Sequence, residues 1–264
     1  MTEESILTKA TPVKGTDDYL TALVYGRSGS GKTTLAATFP KKILLLDVRD
    51  KGTDSIKDVE GIDVFNVTTW LEFEAIYWAL AEGKHEYKTV AIDTISNLQE
   101  LAMEEVKRRE HVDADASMSQ RLWGDSSRIL QQWIYHYRDL PLNVIFLAQE
   151  RSKRGTDDEN FDDQLDPEVG PAVMPSVAKV LCAAVKVIGN TYIRQTTKPN
   201  LKVPGQTLVV TSYMLRVGPH PYYITKVRSP RSFKTPGSVK NTGYDILRAL
   251  MKGEIQTPEA VSNG

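Results

Sequence analysis

Gly26-Arg27-Ser28-Gly29-Ser30-Gly31-Lys32-Thr33-Thr34 is the stretch that decides how the rest of this chain is read. Glycines, a lysine and a hydroxyl residue at this spacing fit a phosphate-binding loop, in which successive backbone N–H groups and a helix N-terminus converge on an anion. Gly26, Gly29 and Gly31 permit the tight backbone. Lys32 has the reach to the β- and γ-phosphates of ATP or a close relative, and Thr33 offers a hydroxyl to Mg2+. Arg27, Ser28, Ser30 and Thr34 complete the cradle. A plain surface loop of Gly and Ser is the competing reading, and the flanks argue against it. Upstream, Tyr19 to Tyr25 is a short apolar run ending at a glycine, a strand feeding a turn. Downstream, Lys32 to Phe39 reads as a helix stopped by Pro40, and Lys42 to Asp47 as a strand buried on both faces. Strand, loop, helix and strand make a parallel unit.

The unit repeats outward. Val64 to Val67 is a weak strand, Trp70 to Ala81 a helix and Thr89 to Asp93 a strand. Helices at 95 to 110 and 119 to 139 follow, and Asn143 to Gln149 is another buried strand. Glu150 to Pro175 is polar and punctuated by Gly and Pro, a length of loop that is usually functional or mobile. From Val180 the texture becomes β-rich, with Val185 to Ile188, Thr191 to Gln195, Gln206 to Val217 and Tyr222 to Val227 read as antiparallel strands added to the parallel core. A last helix spans Tyr244 to Met251. The fold class is therefore α/β, a mostly parallel sheet flanked by helices with antiparallel strands toward the C-terminus. Residues 1–18 read as an N-terminal arm, 19–253 as one domain and 254–264 as a disordered tail.

No run approaches the ~18 apolar residues of a membrane span, and Met1-Thr2-Glu3-Glu4-Ser5 does not resemble a secretory signal, so a cytoplasmic protein is expected. The single cysteine, Cys182, lies in an apolar run and reads as a small hydrophobe. The four histidines share no ligand-like spacing. A net charge of −1 hides an uneven distribution: between Glu168 and Asp245 there is no acid, while that span holds eleven Lys or Arg. The molecule has a basic part and an acidic part.

A phosphate-binding loop also needs a carboxylate near the metal's water shell. Thr89-Val90-Ala91-Ile92-Asp93-Thr94 puts Asp93 where an apolar strand leaves the core; the alternative is an N-cap for the helix at 95. Gln149 ends the next buried strand, where an amide can reach a phosphate oxygen or the attacking water or simply face solvent. Lys226 and Arg228 alternate on one strand and share a face.

On Gly26 to Thr34, Asp47, Val90 to Ser96, Val144 to Gln149 and Tyr223 to Arg228, the chain resembles the RecA-like P-loop ATPases, and more narrowly the compact recombination and single-strand annealing ATPases carried by phages. The resemblance covers about residues 19 to 235. It implies an ATP- and Mg2+-dependent protein that assembles as a filament or ring and binds single-stranded DNA; the lack of an apolar span adds the expectation of no membrane partner. It implies that Gln149 senses the γ-phosphate and starts a DNA-binding loop over 150–176. Lys226 and Arg228 then enter the neighbouring subunit's ATP site; a solvated strand face is the other reading. Two features depart from the pattern. The loop turns acidic at Asp157-Asp158-Glu159-Asn160-Phe161-Asp162-Asp163, which repels a phosphate backbone. The glutamate expected two residues after Asp47, as the base that activates water, is replaced by Arg49, leaving Asp50 as the chosen candidate and Asp47 as the other. The rival function is a nucleotide-switched regulatory or assembly protein that does not bind DNA.

Overall fold

Five apolar segments pair in parallel: β1 (Thr21–Gly26), β2 (Ile43–Val48), β3 (Ile62–Val67), β4 (Thr89–Asp93) and β5 (Asn143–Ala148). In this computed structural model, which describes residues 19–152, 168–199 and 207–255, every residue of β1, β2, β4 and β5 is buried. That is why they read as continuous apolar runs without alternation. A short ribbon of β6 (Glu150–Ser152) and β7 (Val169–Pro171) stands apart from the main sheet. The sheet continues with β8 (Val187–Pro199), β9 (Thr207–Arg216), β10 (Lys226–Val227) and β11 (Ser238–Lys240). Its order is β3-β2-β4-β5-β1-β8-β9-β11, with β10 paired to β8.

Successive side chains of each strand point to opposite faces and build two cores. Leu23, Tyr25, Val144 and Phe146 face one, under α2 (Trp70–Ala81), α3 (Ile95–Arg109), α4 (Gln120–Arg138) and α5 (Pro175–Ala184). Ala22, Val24, Ile145 and Leu147 face the other, under α1 (Lys32–Ala36) and α6 (Tyr244–Lys252). The α/β class expected from the sequence is the one observed, with helices on both faces of a mostly parallel sheet. The helix starts follow local chemistry: Thr69 and Glu72 make a reciprocal capping box at α2, worth about 1 kcal/mol.

Four local expectations are corrected. The helix after the P-loop ends at Ala36, because the Thr38 and Phe39 N–H groups bond three residues back, to the Leu35 and Ala36 carbonyls, and tighten the last turn. The region at Val180 is helical: α5 begins with Pro175 in its first turn and buries Val177, Leu181 and Ala184 on one face. The next strand, β8, is one continuous element whose first residues run parallel to β1, Ala22 opposite Val187, and whose remainder pairs antiparallel with β9. The strand expected over Tyr222 to Val227 shrinks to β10, since the Ile224 carbonyl accepts from the Tyr25 hydroxyl and Ile224 N–H bonds to Val169 instead. The proposed arm (1–18), the acidic run 157–163 and most of the tail lie outside the described residues.

Candidate active site

β1 delivers the chain to Gly26, and the next five residues turn it into α1. Gly31 caps that helix at φ 92°, a left-handed conformation that suits glycine. A side chain at Gly26 is forbidden for another reason: its Cβ would stand 2.3 Å from Thr191 Oγ1 and 2.6 Å from the Thr191 carbonyl on β8. The buried Ser30 closes the loop, its Oγ donating to the Arg27 carbonyl at 2.6 Å and sharing a 2.7 Å bond with Thr191 Oγ1.

The sheet order then assembles the chemistry. β5 lies between β1 and β4, so Gln149, one residue past β5, falls between the P-loop and Asp93. Lys32 is buried, and its Nζ donates to the carbonyls of Gly26 and Arg27, both at 3.0 Å, and to Gln149 Oε1 at 3.4 Å. Burial lowers the lysine's pKa, against the opposing pull of Asp93, Asp50 and Glu150. Thr33 Oγ1 donates to Asp93 Oδ2 at 2.6 Å, while Asp93 Oδ1 is buried with no hydrogen-bond partner. Burial pushes the Asp93 carboxyl up to about 6; Asp50 and Asp47 add to this, and Thr33 and Lys32 hold it down. The N-cap of α3 is Thr94, whose hydroxyl accepts from Asn97 N–H. Asp93 therefore has no capping duty.

The residues after β2 divide in an instructive way. Asp47 is buried and its Oδ1 accepts from the N–H groups of Asp50 at 2.9 Å and Lys51 at 3.0 Å, holding a turn in which Arg49 and Lys51 adopt positive φ. Arg49 reaches away to Glu104 and to the Thr68 carbonyl. Asp50 lines the cleft with Lys32, Thr33, Asp93 and Gln149; the cleft encloses about 720 Å³. Ser28, Gly29, Gly31 and Thr34 line it too, whereas the exposed Arg27 pairs outward with Glu150 at 3.5 Å.

Lys226 and Arg228 are not among its lining residues. Lys226 Nζ donates to the Cys182 carbonyl and Arg228 Nη2 to that of Ala183 at 2.7 Å, both in the last turn of α5. Cations are favoured there by the helix dipole. Cys182 itself is half-buried, and burial raises its thiol to about 11. The cleft residues that were not expected include Tyr213 on β9, and Asn241 and Thr242 after β11. They carry no motif and come near the P-loop through strand order alone.

The profile of the AAA domain family matches residues 18–229. The chain belongs to the AAA domain family. An AAA domain is a P-loop ATPase domain, and the loop that carries Lys32 and Thr33 lines the cleft at the ends of β1, β4 and β5. The fold of this AAA domain is similar to that of the flagellar accessory protein FlaH from Methanocaldococcus jannaschii. The two share 10% identity and a TM-score of 0.37 over 85% of this chain and 90% of that one. No curated protein matches the sequence. Among the described residues of the AAA domain no helix is long and apolar enough to cross a membrane, and no group of three His, Cys, Asp or Glu could by itself hold a metal. Mg2+ needs no such group, because it keeps most of its waters and takes one or two protein oxygens besides phosphate. The Thr33 hydroxyl and the orphaned Asp93 Oδ1 fit that requirement.

Proposed function

We propose that this chain binds ATP with Mg2+ and hydrolyses it, and that it uses the cycle in DNA recombination or single-strand annealing as a homo-oligomer. The observation that carries the hydrolytic part is the convergence of Lys32, Thr33, Asp93 and Gln149 on one side of the cleft. Lys32 swings from the loop carbonyls to the β- and γ-phosphates; Thr33 and Asp93 would hold Mg2+, which would supply charge neutralisation of the phosphate oxygens. Gln149, released by the lysine, orients the attacking water. Asp50 takes the water's proton, because Asp47 is committed to the turn and Arg49 to Glu104. Phosphate release from ATP, measured with Lys32→Ala beside the parent, tests this reading. A parent with no turnover, or a variant with full turnover, overturns it.

The DNA role draws on the basic span after Glu168, which reaches into the β8–β9 ribbon with Arg194 and Lys198. A positively charged ribbon next to an ATP site suits a phosphate backbone. In the homo-oligomer Lys226 and Arg228 serve a neighbouring copy's nucleotide. The second reading, a nucleotide-switched regulator without DNA, draws on the acidic run 157–163 and the net charge of −1. Filter binding of labelled single strands at moderate salt, with and without ATP, separates them. Retention that depends on ATP supports the annealing role, and none at all supports the regulator.

A further inference from the structure

A nucleotide's base must rest somewhere beyond its phosphates, and the sheet order offers a side. β4, which carries Asp93, and β9 lie on opposite sides of β1. The cleft thus has a metal-facing end and, across the P-loop, an end walled by β9. Tyr213 stands at that second end. Its strand partner, Ile193, lies beyond the last β1 pairing, Gly26 with Thr191, so the tyrosine rises past the edge of the parallel sheet. It shares a face of β9 with Leu215, which packs in the same apolar cluster as Leu35 of α1. The ring therefore flanks the start of α1, and a Cβ on Gly31 would come 3.3 Å from Tyr213 Cδ1.

The ring is 50% exposed, although its main chain is held by the β8 pairing and by Asn241 N–H bonding to its carbonyl. Among the described residues that line the cleft it is the one aromatic. Its surroundings at that end, Thr38, Asn241 and Thr242, are neutral, while Asp50 and Asp54 follow β2 on the other side. A rigidly mounted aromatic face, open to the cleft and ringed by neutral polar groups, suits a flat heterocycle.

The geometry points to Tyr213 as the platform on which the base of the bound triphosphate stacks. This rests on the nucleotide reading above and names the part of the ligand that the P-loop does not touch. Stacking selects by ring area, and the neutral rim offers no carboxylate to pair with guanine's N–H groups. The site takes purines ahead of pyrimidines, with little distinction between adenine and guanine.

Calorimetric titration with ATP and with inorganic tripolyphosphate, both with Mg2+, separates base from phosphate. Tyr213→Ala is expected to weaken ATP by about tenfold or more and to leave tripolyphosphate within about twofold, and Tyr213→Phe to keep both. Tyr213→Leu retains apolar bulk without the ring face and is expected to follow the alanine variant; matched melting temperatures exclude a folding defect. Equal weakening of both ligands by Tyr213→Ala would mean that the ring props Gly31, and unchanged ATP binding would mean that the base lies elsewhere; either result overturns the assignment. A parent that binds neither ligand refutes the nucleotide reading itself, and this inference with it.

Discussion

Arg49 and Glu104 form a two-pronged ion pair, Nη1 to Oε1 at 2.6 Å and Nη2 to Oε2 at 2.7 Å, which turns the second position after Asp47 away from the cleft. A glutamate there would face the nucleotide in the proteins this chain resembles. Here Arg49 braces the turn against α3, and its neighbour Asp50 lines the cleft. Asp50→Asn is expected to bind ATP as the parent does and to hydrolyse it about 10²- to 10⁴-fold more slowly. Single-turnover measurement beside equilibrium binding checks both halves.

Asp47→Ala should behave differently, because the carboxylate accepts two backbone N–H groups and holds a turn with two positive-φ residues. Loss of these charge-assisted bonds costs about 1–3 kcal/mol. A melting temperature lowered by several degrees, alongside reduced turnover, is the expected signature. Unchanged stability with lost turnover would return the base role to Asp47.

Asp93→Asn separates catalysis from stability. The carboxyl titrates near 6 in the fold against 3.8 in the unfolded chain, so the folded state binds more protons between those values and stability falls as pH rises through them. Above pH 6 the parent carries a buried charge that asparagine lacks. The variant is expected to melt at or above the parent at pH 7.5, with the gap closing toward pH 4, while losing Mg2+-dependent turnover. Binding of Mg2+-ATP by the parent should weaken below pH 6 as the carboxylate is protonated.

Lys226→Ala/Arg228→Ala removes two cations from the C-terminus of α5. Each contributes about 0.3–1 kcal/mol, so a small drop in melting temperature is expected, with ATP binding kept. If the pair serves a neighbouring copy in the proposed homo-oligomer, the variant is expected to lose turnover and mixing it with Lys32→Ala to restore some, since mixed interfaces unite an intact P-loop with intact cations. No recovery on mixing, with subunit exchange shown by labelled chains, confines the pair to the helix end.

The legible part of this molecule was its parallel half. β1, β2, β4 and β5 are buried on both faces, so their apolar runs and the loop after Gly26 sufficed to place Lys32, Thr33, Asp93 and Gln149. The C-terminal half was harder for two physical reasons. Val180 to Val185 is a short apolar run, which suits a buried strand and a helix face equally; Pro175 in the first turn and the spacing of Val177, Leu181 and Ala184 were the signals for helix. Tyr213, Asn241 and Thr242 reach the cleft through the pairing of β8 with β1 and of β9 with β8. Such long-range register leaves no mark on the residues themselves. The duty of Asp47 was hidden likewise, because acceptance by its carboxylate depends on a turn that only the folded chain displays.

Lys32 rests on the carbonyls of Gly26 and Arg27 in a pocket that already depresses its pKa by burial. Its ammonium group has been stripped of most of its water during folding. A triphosphate entering the cleft therefore meets a cation that need not be dehydrated again, and trades backbone acceptors for phosphate oxygens at nearly constant hydrogen-bond count. The drying of that charge is a folding cost, carried by the hydrophobic cores on either side of β1, so a core variant keeps its nucleotide affinity until it begins to depopulate the folded state.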